Sequence, residues 1–324
     1  MLPLSILDLA PVSEGSTPAI ALQNARDLAQ HAERWGYRRY WVAEHHNMAG
    51  IASAATSVVI GFVAANTSTI RMGAGGIMLP NHSPLVIAEQ FGTLESLYPK
   101  RIDLGLGRAP GTDRQTMHAL RVDPMASEHF PQDVLELQAL LGPLQPGQTI
   151  QAVPGTGTNV PLWILGSSLF GARLAALLGL PYAFASHFAP DSLMQALELY
   201  RANFKPSAQL QKPYAMAGVN IIAAETDERA QHLFTSLQQR FADMVRGARG
   251  LLKPPIDDIE AYWSPAEKTQ AQRMLKCSFA GSPATLRGHL QDFFAKTGVD
   301  ELMVATAVYN HAARLQSYEL LAEI

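Results

Sequence analysis

Cysteine is nearly absent. One residue, Cys277, stands in a chain of 324, so no disulfide can close within it and a reducing compartment is expected. Charge of one sign is missing too. The formal net charge is −3 and no basic block stands out, which argues against nucleic acid or an acidic membrane surface as the main partner. The opening MLPLSILDLAPVSEG has no basic stretch ahead of its apolar residues, and Ser5 and Asp8 interrupt them; it does not read as a signal peptide. The longest apolar region, residues 172–185, carries Arg173 and a Gly-Leu-Pro break, so it is no membrane span. No linker rich in proline, glycine or serine divides the chain, and no short repeat occurs. The expectation is a cytoplasmic, soluble globular protein, and its 48% of hydrophobic residues suffice for a large core.

What is present is alternation. Short, continuously apolar runs at residues 4–9, 39–43, 70–77, 102–107, 162–165, 182–185, 214–223 and 301–305 read as strands covered on both faces. Helical periodicity fills 18–35, 53–65, 84–97, 131–141, 169–178, 191–203, 227–245 and 283–296, with a last helix at 312–322. Ser83-Pro84 and Ser282-Pro283 are helix-start signals. Eight βα units predict an α/β fold, a (β/α)8 TIM barrel spanning residues 1–324 as one domain, ahead of an open doubly wound sheet. Residues 247–276 fit no strand or helix slot and are expected to form an insertion or lid after the seventh strand.

Barrel chemistry sits where strands end, and four segments place reactive groups there. In YWVAEHHNM, Glu44, His45 and His46 follow the second strand. Adjacent histidines point to opposite sides and no His-x-His occurs, so no metal site is expected. One of the pair is expected to handle protons; the plainer alternative is one packed and one solvated imidazole. In IDLGLGRAPGTD the glycines at 105, 107 and 111 follow GxGxxxG rather than the dinucleotide spacing GxGxxG. Arg108 can grip a phosphate or carboxylate, or pair with Asp113. Gly73, Gly75 and Gly76 imply a bulge, a flat ligand against the backbone, or a narrow barrel that needs small residues inside. Gly166-Ser167-Ser168 before a helix offers free amides to an anion, or a serine that simply caps the helix. Arg108 and the serines on neighbouring strand ends favour one phosphate-bearing ligand.

Three longer segments carry a resemblance: YWVAEHHNM, GAGGIMLPNHSPLVIAEQFGTLESLYPKRIDLGLGRAPGTD and ILGSSLFGARLAALLGLPYAFASHFAP. In order, spacing and wording the chain resembles, over its full length, the bacterial luciferase-like family of flavin-dependent monooxygenases, in its alkanal-monooxygenase-like branch. The resemblance implies reduced FMN as cosubstrate, delivered by a separate NAD(P)H:flavin reductase, with O2 adding to give a C4a-peroxyflavin that oxidises a small organic substrate. It implies His45 as the catalytic histidine, a cis peptide between Gly75 and Gly76 under the flavin, and Arg108, Ser167 and Ser168 around the FMN phosphate. It also implies a homodimer. Glu44 or His46 would orient the loop. Two positions depart from luciferase: its reactive cysteine is Gly107 here, and the aspartate supporting its histidine matches Asp113 only with a one-residue shift. Residues 247–276 show little likeness to luciferase's insertion. The alternatives are an F420-dependent oxidoreductase, a non-catalytic flavin-binding protein and a metal-dependent barrel hydrolase.

Overall fold

Each of the eight apolar runs forms a strand, because a continuous run of branched and aromatic residues can bury both faces of a parallel sheet. The computed structural model describes residues 3–109 and 113–324, and Gly111 lies outside the described residues. The strands are β1 (Leu4–Asp8), β2 (Arg39–Val42), β3 (Arg71–Met78), β4 (Ile102–Gly107), β5 (Leu162–Gly166), β6 (Tyr182–Phe184), β7 (Ala215–Ala223), β8 (Ser278–Gly281) and β9 (Glu301–Ala305). All pairings are parallel. Strands β1 to β7 follow one another around a ring that β9 closes between β7 and β1, so the fold is an eight-stranded TIM barrel.

Strand β8 is the addition that periodicity did not show. It pairs with β7 over Asn220–Ala223, whereas the first half of β7 pairs with β6 and β9. The nine-residue β7 outlasts the barrel, and β8 covers its free edge. Around the ring stand α1 (Pro18–Arg34), α2 (Thr56–Ala64), α3 (Pro84–Leu97), α4 (Arg114–Ala119), α5 (Phe130–Leu141), α6 (Leu169–Leu178), α7 (Leu193–Asn203), α8 (Asp227–Val245), α9 (Pro265–Met274), α10 (Pro283–Thr297) and α11 (His311–Ala322). Helix α9 lies within residues 247–276, the stretch for which the sequence offered no clean helix or strand slot. Its start was signalled by Ser264-Pro265-Ala266-Glu267: the Ser264 hydroxyl accepts from the Glu267 amide, and the Glu267 carboxylate accepts from the Ser264 amide.

Strand alternation sorts every side chain. Outward residues such as Ile6, Tyr40, Val42, Met72, Leu104, Ile164, Phe184, Val219 and Val304 join the helices in the main core. Inward residues Leu7, Trp41, Trp163, Met216 and Met303 fill the barrel. At its base the filling is ionic. Arg39 bonds Asp103 at 2.7 Å and Glu301 at 3.0 Å, Arg71 bonds Asp103 at 2.5 Å, and Ser5 donates to Glu301. Two guanidiniums against two carboxylates leave no uncompensated charge, which buried ion pairs require. Towards the mouth the inward positions shrink to Ala43, Gly75, Gly105, Ala183, Gly218 and Ala305. A packed base and small residues above it leave room only at the C-terminal end.

Candidate active site at the barrel mouth

Strand β2 points Arg39, Trp41 and Ala43 inward, and His45 is the next position of that phase, one step beyond the strand. Glu44 continues the outward phase of Tyr40 and Val42. This divides the adjacent acid and imidazole between two jobs. The Glu44 carboxylate, 1% exposed, accepts from the Met78 amide at 3.0 Å and from Asn81 at 3.3 Å, and bonds His46 Nε2 at 2.7 Å and His82 Nε2 at 2.9 Å. Burial alone would raise its pKa, but the bonds from His82, His46 and the Met78 amide win and hold it below the ordinary value. Glu44 therefore ties the loop after β2 to the loop after β3. Its carboxylate and the two imidazoles lie within 4.8 Å of one another, a group of ligand types that the spacing did not reveal. Here both imidazoles turn to the same carboxylate oxygen, an arrangement of hydrogen bonds.

His45 faces the opening. Burial, together with the charge of Arg240, pushes it down to about 4, against the pull of Glu44. Its Nδ1 is shut off from solvent with no partner. Burial and Arg240 therefore favour the neutral imidazole of His45 at pH 7, with Nδ1 able to accept a hydrogen bond. A second imidazole joins it. His187 stands in the turn that follows β6, and its Nδ1 would lie 2.4 Å from a Cβ placed on Gly218. Burial, aided by His45 and Arg240, takes His187 to about 4 as well.

The glycines of β3 are divided between packing and opening. The Gly75-Gly76 peptide is cis, as the resemblance implied, and a shift of register marks a bulge between Ala74 and Ile77. A Cβ on Gly73 would meet Trp41 Nε1 at 2.7 Å, on Gly75 Leu7 Cδ1 at 2.7 Å, and on Gly76 Gly105 O at 2.7 Å. Narrowness thus explains the glycines without a ligand, although Gly75 remains half-buried at the mouth.

Arg108 and the two serines come together at the ends of β4 and β5. The exposed Arg108 guanidinium lies 4.1 Å from the Phe170 ring centroid, in the first turn of α6. Its alternative partner is engaged elsewhere: Asp113 caps α4 through the Thr116 amide at 2.8 Å and pairs with Arg249 at 2.6 Å. The capping alternative for the serines is not realised either. Ser168 occupies the N-cap of α6 but makes no side-chain capping bond. Free amides, two exposed hydroxyls and a cation stacked beside them fit a phosphate.

The stretch after α8 crosses the loops of this mouth. Leu252 exchanges backbone bonds with Val12 and Glu14 at 2.9 and 2.8 Å, and Gly50 leaves no room for a Cβ beneath Gly250 O, which would be 2.4 Å away. Among site residues, His82, His187 and Arg240 escaped the sequence. Arg240 had a weak signal in α8, where it falls seven residues after Leu233 on the apolar stripe.

A family model described as luciferase-like monooxygenase matches residues 2–301. A luciferase-like monooxygenase of Escherichia coli K12 is 56% identical over 321 residues, covering 99% of this chain and 96% of that protein. The N-acetyl-S-alkylcysteine monooxygenase of Bacillus subtilis is 31% identical over 337 residues, covering 100% and 98%. The crystal structure of apo-MsnO8 superposes with a TM-score of 0.91 at 37% identity, covering 100% of this chain and 98% of that one.

Proposed function

Because the chain belongs to the luciferase-like monooxygenase family, we propose that it uses reduced FMN and O2 to oxidise a small organic molecule, as the oxygenating half of a pair with a separate NAD(P)H:flavin reductase. The observation that carries the cofactor is Arg108 stacked on Phe170 beside an α6 start that Ser168 leaves uncapped. Bound FMN would supply the electrons for O2 activation. This chain's residues would do the rest. Arg108, Ser167 and Ser168 hold the phosphate, and Gly75 and Gly76 line the flavin side of the mouth. His45, neutral at pH 7, accepts a proton or hydrogen bond at Nδ1. Residues 247–253, bridging the loops after β1, β2 and β4, exclude water, which would otherwise divert the reductant to hydrogen peroxide. The Bacillus subtilis relative named for N-acetyl-S-alkylcysteine supports the reaction type.

Rapid mixing of the protein and anaerobically reduced FMN with oxygenated buffer tests the reading. Expected is reoxidation slower than that of free FMN, with a transient absorbance that free flavin lacks. Reoxidation at the rate of free FMN would refute it, and hydride transfer to F420 without O2 would move the assignment to a deazaflavin oxidoreductase.

A further inference from the structure

The Glu44 carboxylate is 1% exposed, and among the described residues no lysine or arginine pairs with it. Buried charges are paired or hold a metal ion, because a lone carboxylate loses its hydration without compensation. Oε2 accepts from the Met78 amide at 3.0 Å. Oε1 faces three nitrogens: His46 Nε2 at 2.7 Å, His82 Nε2 at 2.9 Å and the Asn81 side chain at 3.3 Å. One carboxylate oxygen has about two lone-pair sites, so three donors overfill it. A positive charge here would resolve both problems, either a proton on an imidazole or a cation held by the acid and both imidazoles. The carboxylate oxygen and the two imidazole nitrogens stand within 4.8 Å of one another, the reach of a single ion.

The ligand types select the cation. Two imidazole nitrogens and one carboxylate oxygen suit zinc, whereas calcium and magnesium take oxygen ligands. His45 and His46 point apart, as adjacent residues do, and the second imidazole comes instead from His82, just past β3. The His46 and His82 side chains stay 18% and 29% exposed. The three ligands thus open on one side to water, the usual fourth ligand of a zinc held by three residues. Zinc bonds set neighbouring ligand atoms roughly 3.3 Å apart, so the two rings would withdraw from Oε1 by roughly 0.5 Å, a small side-chain rotation. We propose that Glu44, His46 and His82 bind one zinc ion that clamps the loop after β2 to the loop after β3. Glu44 faces away from the opening, so the ion serves the framework of the mouth rather than the oxidation. It fixes His45, which stands between two of the ligands in sequence. The site does not rest on the monooxygenase reading.

The full chain, stripped with EDTA and free of flavin, would be titrated with zinc chloride by calorimetry at pH 7. One equivalent should bind, and the thermal midpoint should rise with zinc as mass action requires. His46→Ala and His82→Ala should each weaken zinc by more than about tenfold, the least that loss of a partner one shell further out costs. Both should lose the thermal shift. His311→Ala, which removes the imidazole paired with Asp27 at 2.8 Å, should keep both zinc and the shift. Zinc binding that the His46 and His82 variants leave unchanged would be adventitious and would overturn the proposal. So would a parent protein that binds no zinc, which would leave a protonated imidazole as the counter-charge of Glu44. If the variants do not fold, cobalt(II) bound to the parent protein decides. The intense visible absorption of a four-coordinate ion supports the site, and weak six-coordinate absorption overturns it. Zinc binding in a protein that takes no FMN would sink the flavin assignment and leave this site standing.

Discussion

At the residue scale, Glu44 has the clearest structural task. It is the shared acceptor of Met78, Asn81, His46 and His82, and removing it takes one common acceptor from four groups of the two loops it joins. Glu44→Ala should cost about 3 kcal/mol, the range for breaking a buried charged network; urea unfolding at pH 7 would read it, and an unchanged midpoint would deny the latch. Arg108 has the opposite character. It is exposed and, among the described residues, stacks on Phe170, so Arg108→Ala should leave stability within about 0.5 kcal/mol. It should weaken FMN binding by about tenfold or more, the worth of a charge-assisted bond to phosphate. Fluorescence titration of FMN would show this, and retained affinity would remove Arg108 from the phosphate site. Both residues were legible in the sequence as chemistry at strand ends, but their division of labour was not. Whether an imidazole is neutral depends on which neighbours the fold brings to it, and Arg240 is 195 positions from His45.

At the element scale, α3 shows how little slack the helix layer has. A Cβ on Gly92 would lie 2.1 Å from Gly155 Cα and 2.5 Å from its nitrogen, backbone atoms that have no rotamer to yield. Gly92→Ala should therefore destabilise by about 1–3 kcal/mol despite alanine's better helix propensity. Thermal unfolding beside an exposed helical control, Gly288→Ala, where nothing lies within 4 Å, separates packing from propensity; a stabilised Gly92→Ala would contradict the contact. Element existence was readable from the sequence for the eight barrel strands and for the long helices, since each carries its own periodicity. Strand β8 was not readable. Four residues, SFAG, have too little pattern to announce a strand, and β8 exists because β7 runs past the barrel with an edge to cover.

At the scale of the whole molecule, the buried imidazoles couple stability to acid. His45 and His187 stand at about 4 in the fold, against an ordinary 6.5. The unfolded chain therefore takes up protons first, and the stability these groups protect is complete above 6.5 and lost as pH falls towards 4. Each steepens the loss by up to about 1.4 kcal/mol per pH unit. Urea unfolding at pH 7, 5.5 and 4.5 should show a shallower decline for a His45→Gln/His187→Gln double variant, and parallel declines would contradict the depressed values. Among the described residues no helix is long and apolar enough to cross a membrane. By itself, the sequence determined the order of strands and helices, the closed parallel barrel and the end at which chemistry gathers, because periodicity and strand direction are local properties that repeat along the chain. Only the tertiary structure decided which imidazole faces the mouth, that Asp113 answers Arg249 rather than Arg108, and that Arg240 makes no ion pair among the described residues. Those outcomes depend on electrostatics and burial between residues far apart in sequence, and such distances carry no periodic signal.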